Sequence, residues 1–202
     1  MNIRAYNLGK YVIPTDVNGG VCLEIGANVG SFFEKNANVF SKIHYYEPIT
    51  KCYNICKDKS DKHNHITGYN LAGYSSSDLE LELRLHGNKD SGSTALNTSI
   101  LNKDWTETVI QKVKTISLED MIKKLKVSVI DYCKSDCETS EYHIFLNKDL
   151  RNIRYIAMEL HNQMGIDRWN QILQHIGNTH HLVSGNTDFN TGYNRDLLFK
   201  LK

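Results

Sequence analysis

The chain has 202 residues, 40% of them hydrophobic, with 24 Lys and Arg against 23 Asp and Glu and a net charge of +1. That length suits a single domain with a full core, and the charge balance lacks the electrostatic footprint of a nucleic-acid binder. No apolar run is long enough to span a membrane, the N-terminal MNIRAYNLGKY lacks the apolar centre of a signal peptide, and the odd count of five cysteines fits reduced thiols in a cytoplasmic compartment.

Residues 1–20 are expected to be a short segment of one domain covering 1–202, leaving little room for a separate ligand-binding domain. Val21–Ile25 reads as a buried strand that carries one acid, Glu24, and breaks into Gly26-Ala27-Asn28-Val29-Gly30. Gly30–Phe40 then reads as a helix with Phe32, Phe33, Ala37 and Phe40 on its apolar side. Lys42–Glu47 is a second strand ending in an acid, and Pro48 enforces the exit. Thr50–Lys59 is a helix, His65–Gly73 a third strand, and Leu79–Leu85 alternates with period two, which marks a half-exposed antiparallel strand. Gly87–Ser99, rich in Gly, Ser, Asn and Asp, is a loop of a length that suits a lid. Lys112–Ile116 is a short strand, and Ser117 caps a helix through Lys124 in a weak capping box closed by Asp120.

Val127–Cys137 is a central strand of unusual chemistry. Lys134 and Asp136 share one face, and unpaired burial of either is costly, so both should find partners or line a cleft. Tyr155–Leu160 is another buried strand, leading to Glu159-Leu160-His161. Arg168–Ile176 is a helix, and His180–Ser184 with Asp196–Lys200 closes the chain as an antiparallel hairpin. Strands alternating with helices imply an α/β, doubly wound, Rossmann-like sheet of seven mostly parallel strands, helices on both faces and a C-terminal antiparallel hairpin. Cys52 and Cys56 fall on a helix; Cys133 and Cys137, about 13 Å apart along an extended strand, cannot bridge. C-x3-C on regular elements is a poor match to zinc.

A buried strand, a glycine turn and a helix N-terminus make a nucleotide-type site, and Glu47 stands where a carboxylate holds ribose hydroxyls. A dinucleotide pyrophosphate requires G-x-G-x-x-G so that bare backbone approaches it. Here Asn28 takes the middle glycine's place and Gly30 follows two residues later. A side chain there crowds a pyrophosphate but can donate to a carboxylate, so the turn fits S-adenosylmethionine (SAM) better than NAD.

Several separated motifs together resemble the FkbM family of SAM-dependent methyltransferases. LEIGANVG is similar to its cofactor loop, YYEP to its ribose acid and proline, and NLAGYSSSDLELEL to the segment leading into an extra hairpin. TISLEDMI resembles the short helix before the fourth strand, VIDYCKSDCETSEYHIF the hallmark hydrophobic-D-hh-K-h-D-h-E-G-x-E, YIAMELH the fifth strand and NRDLLFK the last. One departure is Thr139, where the hallmark has Gly and so permits positive φ or close approach of substrate.

The resemblance implies a cofactor site of Glu24, Gly26, Ala27, Asn28, Gly30, Glu47 and Pro48, with Asn70, Leu71 and Ala72 as candidates for the adenine edge and Asp136 bordering it. It implies an acceptor end at the turn after the hallmark strand. Asp136 is the first choice for the base or orienting group and Glu138 the second; Lys134 holds Asp136 ionised or polarises the acceptor, and Glu141 is the last hallmark acid. Glu159 and His161 should face the same cleft, with His161 a general base near neutral pH. Asp136, Glu138, Glu159 and His161 also have the chemistry to hold a divalent cation, but their spacing carries no metal signature and a metal is not favoured. The expected reaction is O-methylation of a sugar, glycan or small natural product, without nucleic acid or membrane partners. A SAM-binding protein without catalysis and an NAD-dependent oxidoreductase are the alternatives.

Overall fold

A computed structural model of the chain describes residues 5–6, 10–86, 108–190 and 194–202. The elements run β1 (Ala5–Tyr6), β2 (Ile13–Pro14), β3 (Val21–Ile25), α1 (Ser31–Asn36), β4 (Lys42–Tyr46), α2 (Thr50–Ser60), β5 (Ile66–Tyr69), β6 (Ala72–Tyr74), β7 (Glu80–His86) and β8 (Thr108–Ser117). They continue α3 (Leu118–Leu125), β9 (Ile130–Ser135), α4 (Glu141–Phe145), β10 (Ile153–His161), α5 (Ile166–Thr179), β11 (His180–Ser184) and β12 (Asn194–Leu201).

The main sheet has seven strands in the order β11-β12-β10-β9-β3-β4-β5. β10, β9, β3, β4 and β5 pair in parallel, and β12 enters antiparallel between β10 and β11. This is the expected parallel sheet closed by an antiparallel hairpin. Alternation splits the buried residues between two cores. Leu23, Cys133, Ile156 and Phe199 face one side with the helices α3 to α5; Cys22, Tyr132, Tyr155 and Leu198 face the other with α1. In α5, Trp169, Ile172 and Ile176 are buried at helical spacing, and each side chain's burial stabilises the fold by about 2–3 kcal/mol.

Of the element boundaries that differ from the sequence reading, three bear on the site. The expected strand His65–Gly73 is two strands in different sheets. Asn70 sits between them and donates from Nδ2 to the carbonyls of Glu47 (2.8 Å) and Pro48 (2.9 Å), which ends β5 and turns the chain out. β6 then joins a three-stranded sheet, β6-β8-β7, in which β7 and β8 pair antiparallel. The first helix stops at Asn36, whose side chain donates back to the Phe32 carbonyl. The strand expected over Val127–Cys137 is confined to Ile130–Ser135, leaving Asp136 just past its end. Ser117 caps α3 by accepting from the Asp120 amide at 3.2 Å. The predicted loop Gly87–Ser99 lies outside the described residues.

Candidate active site

The chain leaves β3 toward β4 on one side, and β9 lies on the other, so the strand order reverses between β3 and β9. In an open α/β sheet the crevice forms at the carboxyl ends of such a pair. A cleft of about 310 Å³ opens there, at the small end of the range for ligand pockets. The side expected to take the cofactor is bordered by Glu24, Gly26, Asn28, Glu47, Pro48 and Ala72. Gly73 borders it beside Ala72, while Leu71 packs against the hydrophobic core.

The glycine turn is built against the end of β9. Gly26 has φ +77, and a Cβ on it would stand 2.0 Å from the Asp136 carbonyl oxygen, so only glycine fits. Its amide and that of Ala27 donate to the Tyr46 carbonyl. Asn28 follows at φ 52, a conformation Asn tolerates better than most residues. Its backbone amide donates to Glu47 Oε2 at 2.7 Å, and the Ile49 amide donates to Oε1 at 2.8 Å. The strand-end acid is therefore held rigid by backbone, with lone pairs to spare. Burial lifts its pKa to about 7 despite those two amides. Cys56 supports the turn from below, donating from Sγ to the Asn28 carbonyl at 2.9 Å. None of the five cysteines forms a disulfide.

Glu24 and Lys134 are register partners on adjacent strands, which explains why a buried acid and a buried lysine coexist. The Lys134 ammonium lies 3.6 Å from Glu24 Oε1 and 4.0 Å from Asp136 Oδ2, and donates to the Gly26 carbonyl at 2.6 Å. Its hydrogen bond thus ties the end of β9 to the glycine turn. Burial pulls its pKa down, but Glu24 and Asp136 more than offset that and keep it charged. Glu24 is fully buried, and neither of its oxygens has a hydrogen-bond partner. Burial raises its pKa to about 7, against the pull of Lys134. An unsatisfied buried carboxylate is costly, and its natural complement is a ligand cation with N–H donors. SAM offers such a group in its α-ammonium, so these residues fit that cofactor.

The end of the cleft expected to take the acceptor gathers the other predicted residues. Asp136 Oδ2 accepts from the Tyr11 hydroxyl at 2.9 Å. Burial pushes the Asp136 pKa up, but Lys134, Tyr11 and Lys10 together bring it below the usual value. Glu138 has the opposite balance: burial lifts its pKa, and the nearby His161 only partly counters this. His161 Nε2 lies 3.3 Å from Glu138 Oε2 and 3.9 Å from Glu159 Oε2. Glu138 borders the cleft, whereas Glu159 and His161 are buried behind it. Glu141 is fully buried and accepts from the Cys137 amide through Oε1, serving the turn. Asp136, Glu159 and His161 offer ligand atoms within 4.8 Å of one another, but the Lys10 ammonium already contacts Glu159 and supplies the cluster with a positive charge.

Thr139 was expected to make positive φ harder. The chain adopts it regardless, with Glu138 at φ 49 and Thr139 at φ 83, and the β-branched Thr139 is a strained occupant there. Sequence reasoning missed Lys10 and Tyr11. Both border the cleft, but they lie in a stretch with no glycine turn, acid pair or periodicity to single them out.

The chain was compared with known proteins. No curated protein matches it. Among solved structures, the FkbM methyltransferase of Methylobacillus flagellatus KT superposes with a TM-score of 0.54 at 12% identity, covering 90% of this chain and 43% of that one. This chain thus spans less than half of that protein's length. M. capricolum TrmK in complex with S-adenosylhomocysteine (SAH) gives 0.51 at 10% identity, covering 93% and 66%. Aeropyrum pernix fibrillarin with bound SAM gives 0.52 at 10% identity, covering 90% and 66%. At these identities the likeness shows the fold. The family model described as "Methyltransferase FkbM domain" matches residues 24–180, a span from the acid of β3 through the glycine turn and the hallmark run, and the chain belongs to the FkbM methyltransferase family.

Proposed function

We propose that the chain is a SAM-dependent O-methyltransferase acting on a hydroxyl of a sugar, glycan or small natural product. The observation that carries this reading is Glu24, a fully buried carboxylate with no hydrogen-bond partner at the head of a glycine turn. SAH in TrmK and SAM in fibrillarin, in the same fold, support the choice of cofactor. Glu24 receives the α-ammonium, Glu47 accepts from the ribose hydroxyls, and Pro48, Ile49 and Ala72 line the adenine side. The bound cofactor supplies a methyl group on a sulfonium.

Methyl transfer to an oxygen leaves one proton to be removed, and alignment of the acceptor is the larger part of the task. Asp136, held ionised, accepts a hydrogen bond from the acceptor hydroxyl and orients it. Its low pKa makes it a weak base. Glu138, with its raised pKa, is the better proton acceptor, and His161 Nε2 at 3.3 Å takes the proton onward. The sequence reading ranked Asp136 first as base; the two opposed shifts favour dividing the roles. The net charge of +1 and the carboxylates around the acceptor end support a small acceptor over nucleic acid. Among the described residues no helix is long and apolar enough to cross a membrane.

The test is transfer of a labelled methyl from SAM to a panel of sugars, glycans and polyols, with RNA as a separate arm. Asp136→Ala is expected to keep SAH binding and lose turnover by at least about a hundredfold. Labelling of RNA alone would overturn the acceptor class, and cofactor binding with no transfer to any acceptor would favour a non-catalytic SAM-binding protein.

A further inference from the structure

We infer that Tyr11 is a positioning residue of the acceptor end, fixing the Asp136 carboxylate at the cleft from a strap that precedes the first strand of the main sheet. This rests on the methyltransferase reading above. The Asp136 backbone is fixed without help: its amide donates to the Ile25 carbonyl at 3.1 Å, and its own carbonyl abuts Gly26. Its side chain is the adjustable part, 26% exposed at the cleft, and the Tyr11 hydroxyl donates to its Oδ2.

That hydrogen bond is not needed to anchor the strap. Ile13 and Val17 are almost fully buried in the same core as Tyr132 and Tyr155. The Tyr132 hydroxyl donates to the Val12 carbonyl at 2.9 Å, and Arg154 holds the Asp16 carbonyl at 2.9 Å. The Tyr11 ring meets Phe32 edge-on at 5.9 Å and 86°, which sets its direction. These contacts secure the strap independently of the Tyr11 hydroxyl, whose hydrogen-bond partner is the Asp136 carboxylate.

The groups facing Asp136 come from every neighbouring element: Lys134 from β9, Glu24 from β3, Glu159 and His161 from β10, Glu138 from the following turn, and Lys10 and Tyr11 from the strap. Lys10 pairs with Glu159 and lies 3.3 Å from Asp196 Oδ1, so its charge is directed mainly at β10 and β12. Tyr11 is a neutral donor in this set, and Glu159 also hydrogen-bonds Asp136. Burial and the Asp136 charge raise its own pKa, so it remains a donor throughout the working pH range.

Tyr11→Phe removes the hydroxyl and keeps the ring; Tyr132→Phe loosens the strap without touching Asp136. Carboxyl-labelled aspartate NMR, with Asp136→Asn to assign the resonance, follows the ionisation of Asp136, and calorimetry follows SAH. The Asp136 midpoint is expected to rise by about half to one pH unit in Tyr11→Phe and to stay put in Tyr132→Phe, with SAH affinity within about twofold of wild type in both. An unmoved midpoint in Tyr11→Phe overturns the inference. So does a tenfold loss of SAH affinity in that variant, which would make Tyr11 a cofactor residue. If Tyr11→Phe does not fold, the hydroxyl is structural and the inference also fails. Absence of SAH binding by the wild type would sink the methyltransferase reading instead, and the Asp136 midpoints would still report on Tyr11.

Discussion

Cofactor binding should be strongly pH-dependent in the neutral range, because the two acids assigned to the cofactor both titrate there. Burial places Glu24 and Glu47 at about 7 in the free protein. The ammonium and the ribose hydroxyls are complementary to the ionised forms, so binding at lower pH must first expel a proton from each. For one such group the ionised fraction falls from about nine-tenths at pH 8 to about one-tenth at pH 6. Affinity should therefore drop about tenfold for one linked group and about a hundredfold for two, or ~1.4 kcal/mol per group. Calorimetry of SAH at pH 6, 7 and 8, repeated in buffers of different ionisation enthalpy, measures both affinity and protons released. About half a proton per linked group should leave at pH 7. Glu24→Gln should weaken binding at pH 8 and remove its own share of the proton release. SAH affinity that is flat from pH 6 to pH 8, with no buffer dependence, would refute the assignment of these acids.

The same burial sets the stability of the ligand-free protein. Glu24, Glu47 and Glu141 each have a folded pKa near 7 against 4.5 unfolded, so the native state binds more protons between those values and stability rises as pH falls through 7. From pH 8 to 6.5 the gain is ~0.8 kcal/mol per group, seen as a higher melting temperature; His44, with a pKa lowered by burial to about 4, opposes the trend below 6.5. A melting temperature that falls over pH 8 to 6.5 would contradict this. Thr139→Gly should stabilise the fold by about 1 kcal/mol in urea denaturation, since it relieves φ 83 and removes a buried hydroxyl without a partner; destabilisation would show that the Thr139 methyl packs better than its backbone is strained. Gly26→Ala should abolish measurable SAH binding, because its Cβ meets the Asp136 carbonyl at 2.0 Å and cannot be relieved by a rotamer change; retained affinity would mean that the turn can move away from β9.

The order of elements was legible because each signal was local. The glycine turn, the alternation of β7 and the acid at the end of β4 are all read within a few residues. The hairpin was legible for the same reason. The split between β5 and β6 was not, because it depends on Asn70 reaching two carbonyls some twenty residues away in the chain. The same limit applies at the site. Lys134 and Asp136 were singled out because charges inside an apolar strand need partners, and Glu24 because it leads the glycine turn, but which partners they take depends on strand register. Lys134 turned out to serve the Gly26 carbonyl. Tyr11 meets Asp136 across 125 residues, and nothing near Tyr11 in the sequence announces that contact. The contrast between Asp136 and Glu138 is only partly local: Lys134 of the hallmark run lowers the Asp136 pKa, but Tyr11, Lys10 and His161 act from far along the chain.

The central claim is that the β3–α1 turn and Glu47 form a SAM site. Its most direct test is a calorimetric titration of the wild-type protein at pH 8 with SAM, SAH and NAD. Saturable binding of both sulfur ligands at one site, lost in Glu47→Ala, with no binding of NAD, is the predicted result. A well-folded protein that binds neither SAM nor SAH, or that binds NAD in their place, would contradict it.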